Sequence, residues 1–444
     1  MQIIIVFVKK QTMMIKKLLY FTGIFLLSTF AGSLETLAEH HEAVLDTGDT
    51  AWIMTSTALV LFMTLPGLAL FYGGLVSSKN VVSALMQVIA IACLMSVLWL
   101  FGAYSFSFAD GGDLNKYIGS FEKFLFNNIE WNALSGTIPE NVFFIFQLTF
   151  AVITPALMVG AYVERIKFSS VLFISAIWLF VVYAPVTHWV WGGGWLAELG
   201  ILDFAGGLVV HTTAGVSALV IAILLGNRSQ FPKGVQPPHN PGLVMVGACM
   251  LWVGWFGFNG GSALAANANA GMAMVVTHIA AATASLTWMG IEWYKNGKPG
   301  LVGLVTGTIA GLATITPASG FVDPKSAFII GLLAGSICWY FSVLIKQTFN
   351  IDDSLDVFAV HGIGGMLGTL MVGFLANESI GGTAGSMEQA KIQITGIIAV
   401  AALSIVGTYI IVKITDSILG LRVSSKEAQE GLDITTHGER GYHL

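Results

Sequence analysis

Gly206-Gly207-Leu208-Val209-Val210-His211-Thr212-Thr213-Ala214-Gly215 and Val357-Phe358-Ala359-Val360-His361-Gly362-Ile363-Gly364-Gly365 each set one histidine in the middle of a strongly apolar stretch. Each histidine is followed four residues later by a glycine, and the two lie 150 positions apart (361 minus 211). An ionisable group near a bilayer midplane costs several kcal/mol, on the order of 2 to 10 or more when charged. Such a group normally faces a polar path or a partner rather than lipid. The pairing predicts one site built by a repeat, and with it a conduction path.

The rest of the chain fits a membrane setting. Of 444 residues, 55% are hydrophobic and only 10% charged, where a soluble globular protein carries about 25% charged residues. The mean hydropathy of +0.79 agrees. A net charge of −5 argues against nucleic acid as a partner. Cys93, Cys249 and Cys338 each lie inside an apolar segment, which reads as small hydrophobic packing rather than a disulfide framework.

Eleven apolar stretches are long enough to cross about 30 Å as helices. Their approximate cores are 51–73, 81–106, 139–162, 168–190, 204–225, 242–264, 271–293, 300–318, 326–346, 355–376 and 393–419. Ahead of them, Lys16 and Lys17 precede an apolar run from Leu18 to Phe30, and small residues follow, with possible cleavage after Ser33 or Ala38. That is the grammar of a secretory signal over 1–38, with Met13 or Met14 as a possible true start. A transmembrane domain over 48–420 and a charged cytoplasmic tail over 421–444 complete the organisation.

A cleaved signal and eleven spans predict an N-out, C-in topology. Segments then predicted to be cytoplasmic hold twelve lysines and arginines, from Lys79, Arg165 and Arg228 to Arg440 in the tail. Segments predicted to be external hold four: Lys116, Lys123, Lys325 and Lys391. That bias fits the positive-inside rule.

A weak repeat is readable. Phe71-Tyr72-Gly73-Gly74 closes the first span and Phe258-Asn259-Gly260-Gly261 lies late in the sixth. Asp203 with His211 opens the fifth span, and Asp356 with His361 opens the tenth. Five spans is an odd number, so the second half runs inverted. Inverted repeats place their sites near the midplane at the repeat interface. The fold class expected is an all-α membrane protein of eleven helices in two inverted five-helix repeats, with a pore in each subunit.

The segment from Asp203 to His211, with Ala214-Gly215 and Gly226-Asn227-Arg228, resembles the signature of the ammonium transporter family (Amt/Mep/Rh). Trp191-Gly192-Gly193-Gly194, Gly254-Trp255-Phe256-Gly257-Phe258-Asn259, Asp356 through Gly362, and the tail pieces Gly420-Leu421-Arg422-Val423 and Gly431-Leu432-Asp433 extend the match. It runs from about residue 48 to the C-terminus and is nearest the bacterial Amt branch. One departure is Gly260, where many members carry alanine; it leaves the register of Ser262 intact.

The resemblance implies a homotrimer in the bacterial inner membrane with a narrow, largely hydrophobic pore in each subunit. It implies ammonium and methylammonium as substrates, no cofactor, and a tail that docks a PII-type signalling protein. It places Trp191, Ser262 and Phe150 at an outer vestibule. Aromatic faces attract cations by roughly 0.5 to 2 kcal/mol, and a hydroxyl can accept from ammonium, which has four donors and no acceptor. Without the resemblance, Trp191 reads as an interfacial belt residue and Ser262 as a helix-end serine. Phe150 and Phe258 match the stacked pair that gates the path, since an apolar constriction blocks hydrated ions by dewetting.

His211 and His361 line the pore below, as polar contacts for ammonia and a route for a proton. Asp203 caps a helix start first, and by its field stabilises a cation in the vestibule. The function expected is recruitment of ammonium, its deprotonation, and conduction of ammonia, with net charge movement. Rival readings are an ammonium sensor of the same fold, an Rh-type gas channel, and a metal-dependent membrane enzyme. A metal site wants three or four ligands, and His188 and His278 stand off the repeat register. The chain is therefore not expected to be an enzyme.

Overall fold

The computed structural model describes residues 44–442; the signal-peptide reading of 1–38 lies outside the described residues. Eleven helices are long and apolar enough to cross a membrane: Thr47–Leu75, Ser78–Phe108, Glu140–Tyr162, Phe168–Glu198, Gly207–Leu225, Pro241–Gly260, Ala268–Asn296, Leu301–Ala318, Pro324–Thr348, Phe358–Leu375 and Met387–Ile418, here spans 1 to 11. Each overlaps a stretch expected from hydropathy. The protein is a multi-pass, all-helical membrane protein, its described strands limited to the two-residue pair Leu134–Ser135 and Ile138–Pro139.

Local chemistry sets the ends. Asp46, Asn267, Asp323 and Ser386 cap spans 1, 7, 9 and 11 by accepting from backbone N–H groups three residues on. Asn240 does the same for span 6, with Pro241 at the first helical position, where no N–H is needed. Span 6 stops at Gly260, short of 264, because the chain turns through Leu264 at φ 53°. Span 2 kinks at Gly102, whose φ of 121° only glycine adopts readily.

Spans 3, 5 and 8 are buried along most of their length; spans 9 and 11 keep much of theirs facing outward. Cys338 is buried as packing requires, but Cys93 and Cys249 face out of the subunit. An apolar exterior tolerates a small thiol as well as a core does, so the sequence could not separate the two settings.

The tail does not trail away. Leu421 O accepts from Lys167 N, and Arg165 O accepts from Val423 N. Asn80 Oδ1 accepts from Leu432 N, and Asp433 Oδ1 accepts from Ser83 N. Two short helices, Ser425–Glu430 and Leu432–His437, lie in this docked segment. Below, one end of the molecule is called the tail side and the other the Trp191 side.

Candidate functional site

Both histidines ride on π-helical turns, Gly207–Thr212 in span 5 and Phe358–Ile363 in span 10. Such turns leave backbone groups out of α-helical register and recur at functional sites. Each turn is launched by a buried carboxylate eight residues before its histidine. Asp203 accepts from the N–H groups of Gly206, Gly207, Leu208 and Val209. Asp353 accepts from Val357 N at 3.1 Å and Phe358 N at 2.8 Å.

The repeat partner of Asp203 is therefore Asp353, 150 positions on, and not Asp356 as the motif suggested. Asp356 takes the place of Gly206: Gly206 has φ 112° and Asp356 φ 61°, each five residues before its histidine. Its carboxylate pairs instead with Lys346 at 2.7 Å. The motif misled because Asp356 sits inside the most recognisable stretch, while Asp353 is set by geometry three residues upstream. Asp203 lies beside Trp191, whereas Asp353 lies three residues from Asp356, which shares a cavity wall with Arg422, Val423 and Ser425 of the tail.

The glycines four residues after the histidines have a clear task. A Cβ on Gly215 would run into the backbone of Gly362, next to His361. A Cβ on Gly365 would lie 2.6 Å from Gly207 O and 2.8 Å from the Cβ of His211. Each glycine thus admits the other half's histidine turn, and the two imidazoles meet with Nδ1 atoms 3.3 Å apart. Both rings are buried, at 1% and 4% exposure, so this contact has no competition from bulk water.

The neighbours order the protons. Thr316 gives its hydroxyl hydrogen to Leu312 O at 2.7 Å and receives one from Trp255 Nε1 at 2.9 Å. It can then only accept from His211 Nε2, 3.4 Å away. For a neutral pair this puts the hydrogen of His211 on Nε2 and makes its Nδ1 the acceptor. His361 then donates from Nδ1 and keeps a free lone pair on Nε2.

An aromatic line leads from the pair to the Trp191 side. His211 stacks between Trp255 at 5.5 Å and His361 at 5.2 Å, with Phe258 at 6.0 Å. Phe258 lies 4.4 Å from Phe150, and Phe150 meets Trp191 edge-on at 5.7 Å. Phe146 closes on Phe150 at 5.1 Å. Trp191 is half-buried, and its Nε1 donates to Asp203 O at 2.8 Å, so cap and aromatic wall are tied together. Ser262, also half-buried, donates to Phe258 O at 2.8 Å, which leaves its oxygen free to accept.

Burial pushes the carboxyl of Asp203 up to about 6, against the pull of its amide donors. Asp353 is pushed up to about 7, first by burial and then by the nearby charge of Asp356. On the tail side Arg228 joins Glu164 at 2.7 Å and Asp352 at 2.9 Å. Arg165, only 1% exposed, spends its guanidinium on Ala161 O, Gly226 O, Asp352 O and Ser354. A cavity of about 410 Å³ opens here, with Phe71, Asn80, Glu164, Arg228, Lys346 and Asp356 in its wall.

Phe150, Phe258, Trp191, His211 and His361 fall on this one line, with Asp203 and Ser262 bonded to it; Asp356 does not, and lies in the tail-side cavity wall. Trp255, Thr316, Phe146 and Asp353 belong to it too. Only Asp353 left a signal, the eight-residue offset repeated at 150. Among the described residues no three His, Cys, Asp or Glu side chains gather to hold a metal ion. His188 lies between backbone carbonyls and His278 against Trp252 and Phe256, both away from the pair.

A sequence model described as the Ammonium Transporter Family matches residues 51–442. The ammonium transporter of Aquifex aeolicus is 45% identical over 430 residues, covering 96% of this chain and 99% of that protein. Ammonium transporter Amt1 of Archaeoglobus fulgidus is 46% identical, covering 89% of this chain and 99% of that protein. Among solved structures, Saccharomyces cerevisiae Mep2 superposes with a TM-score of 0.81 at 36% identity, over 86% of this chain and 89% of Mep2. A structure described as a sensor Amt protein gives 0.82 at 30% identity, over 88% of this chain and 98% of its own. With a buried histidine pair at the meeting of two inverted halves and relatives matched along nearly their whole length, the chain belongs to the ammonium transporter family.

Proposed function

We propose that this transporter recruits the ammonium ion between Trp191 and Ser262, strips a proton from it near Phe150 and Phe258, and passes ammonia along His211 and His361. The observation that carries the reading is the unbroken line of aromatic and imidazole rings, ending in two histidines whose Nδ1 atoms are 3.3 Å apart. Trp191 offers a ring face, Ser262 a free acceptor, and Asp203 a buried carboxylate whose field favours a cation. The two phenylalanines, in contact at 4.4 Å, exclude hydrated ions. The shared hydrogen between the imidazoles gives the proton a route of its own, so charge crosses with the ammonia.

The chain works as a homotrimer in a bacterial inner membrane, with the Trp191 side outward, a cleaved signal over 1–38, and the docked tail presented to a PII-type protein inside. Methylammonium is a second substrate. Uptake and current in liposomes test the central claim. Uptake with measurable current is expected from the native chain, and loss or altered selectivity of current from His211→Ala and His361→Ala. Robust uptake with no current, or unchanged current in both variants, removes the proton route.

The neighbour described as a sensor supports a second reading, in which the same fold reports ammonium and flux is negligible. Binding without uptake in the same liposomes would favour it.

A further inference from the structure

The tail-side cavity carries a charge excess of its own. Five cationic side chains stand in its wall, Lys79, Arg165, Arg228, Lys346 and Arg422, against two carboxylates, Glu164 and Asp356. Asp352, within reach of both Arg228 and Arg165, adds a third carboxylate. Five minus three leaves an excess of two positive charges. A cleft lined mainly by one sign of charge focuses its field and gathers counter-ions.

The excess falls on two residues. Arg228 pairs with Glu164 and Asp352, and Lys346 with Asp356. Arg165 is buried and spends its guanidinium on carbonyls and Ser354. Arg422 and Lys79 remain. Nη1 of Arg422 donates to Leu225 O at 3.0 Å and Nη2 to Asn227 O at 2.7 Å, while Lys79 Nζ donates to Gln429 O. Among the described residues neither pairs with a carboxylate. A carbonyl answers a cation with a dipole and not with a charge. Each side chain also keeps unspent N–H donors, since a guanidinium and an ammonium carry more than these bonds use.

The two residues stand on either side of a seam. Arg422 belongs to the tail, with Ser425 and Gln429 in the same wall, and Lys79 lies at the start of span 2. Tail and body run close here: a Cβ on Gly431 would come within 2.7 Å of the Cβ of Lys79. Both Arg422 and Lys79 are exposed, so an anion reaches them without displacing packed groups.

We infer that this cavity binds a multivalent oxyanion of phosphate type between Arg422 of the tail and Lys79 of the body, and that the bound anion holds the tail in its docked place. The guanidinium fork matches paired phosphate oxygens, and the ammonium supplies a point charge. A volume of about 410 Å³ suits a small-molecule ligand. A divalent anion cancels the excess of two, which a single chloride only halves.

Isothermal titration of pyrophosphate into the full chain in detergent, with ionic strength held constant by chloride, tests it. One saturable site per chain is expected. Arg422→Gln and Lys79→Gln should each weaken it about tenfold, the worth of a hydrogen bond to a charged group. Lys298→Gln removes an exposed cation on the same side but outside the cavity and should leave the affinity native. Amide hydrogen exchange over 425–437 should slow when pyrophosphate is added to the native chain, and should not respond in Lys79→Gln at the same concentration. Absence of saturable binding overturns the inference. So does equal weakening by all three variants, which would leave only the general field of this face. Binding without any change in exchange over 425–437 overturns the hold on the tail. Phosphatidic acid in the micelle serves as the lipid arm: a response to it, with none to pyrophosphate, overturns the free anion as ligand. Should Arg422→Gln lose the docked tail outright, Lys79→Gln decides, because its side chain bonds only the exposed Gln429.

Discussion

Around Asp203 the groups that answer a buried carboxylate are backbone N–H donors alone. Around Asp353 similar donors are joined by Lys346 with Asp356, and by Arg165, Arg228 and Asp352 nearby. The two halves share a backbone device, a carboxylate that launches a π-turn with a histidine eight residues on. They differ in what surrounds it. On the Trp191 side no cation among the described residues answers the negative field, and the aromatic face of Trp191 and the serine oxygen of Ser262 lie on the same side. On the tail side it is netted into ion pairs. Symmetry thus builds the paired histidines, and asymmetry of the flanks gives the two sides of the molecule different charge.

The sharpest way to break the shared part is to fill the crossing. Gly215→Ala drives a Cβ into the Gly362 backbone, which has no rotamer to yield. Overpacking of this kind costs about 1 to 3 kcal/mol or more, and here it also parts the histidines. Loss of folded transporter, read by yield and thermal midpoint in detergent, is the expected outcome. Gly365→Ala should be somewhat milder. Gly271→Ala and Gly290→Ala, where a Cβ meets nothing within 4 Å, should be neutral or stabilising by up to about 1 kcal/mol. Equal tolerance at all four positions would mean the crossing is not as close as described.

Next in size is the tail-side network. Arg228→Met strands Glu164 and Asp352 without their partner and should cost about 3 to 5 kcal/mol. The network also titrates oppositely to the caps. The charge of Arg228 and hydrogen bonds from Ser77 and Asn80 outweigh burial and hold Glu164 down at about 2. An unfolded glutamate titrates near about 4.3. Its contribution is therefore complete above that value and is lost as pH falls toward 2. Asp203, raised to about 6, does the reverse. Between about 4 and 6 the unfolded chain ionises first, so stability falls as pH rises. Thermal midpoints should pass through a maximum in mildly acid buffer, and Glu164→Gln should flatten the acid limb alone.

Asp203→Asn against Asp353→Asn separates the two caps directly. An amide keeps one acceptor oxygen, turns its NH₂ toward other donors, and removes the charge. At Asp203, four amides lose a carboxylate and the vestibule loses its field; a cost of a few kcal/mol and a sharp loss of ammonium uptake are expected. Asp353→Asn removes a carboxylate that already sits beside another, Asp356, so its cost should be smaller. The reverse ranking would place the important field on the tail side.

The eleven spans were legible because a length of about 20 apolar residues is nearly sufficient to mark a helix in lipid. The seven residues expected at the site were singled out through local motifs, and the fold brings them near one another. Much of what escaped depends on partners far apart in sequence. Thr316 orders the histidine hydrogens from span 8, and Trp255 from span 6. Arg165 counted only as a topology charge and Arg228 as that and a motif end, yet both are bound inside the tail-side network. Asp353 was overshadowed by Asp356, since the side chain that caps a turn is chosen by where its oxygens reach and not by its place in a motif.

The smallest effect expected is the most discriminating for the comparison. Asp356→Gly gives the second half the residue that the first half has at Gly206. Two small terms oppose each other. Glycine relieves a non-glycine residue held at φ 61°, a strain of about 1 to 2 kcal/mol. The change also removes the pairing with Lys346, whose partners are about a quarter exposed, so its loss is worth under about 1 kcal/mol. Added flexibility of the unfolded chain takes back about 0.4 to 1 kcal/mol. The thermal midpoint should move little in either direction. Transport then becomes the informative readout. If uptake and current are native, the Asp356–Lys346 pair is a local stabiliser and the halves are functionally closer than their charges suggest. If a stable Asp356→Gly protein conducts poorly, the charged flank of the tail side acts in the passage itself, and the departure from symmetry at this position is what the second half contributes to transport.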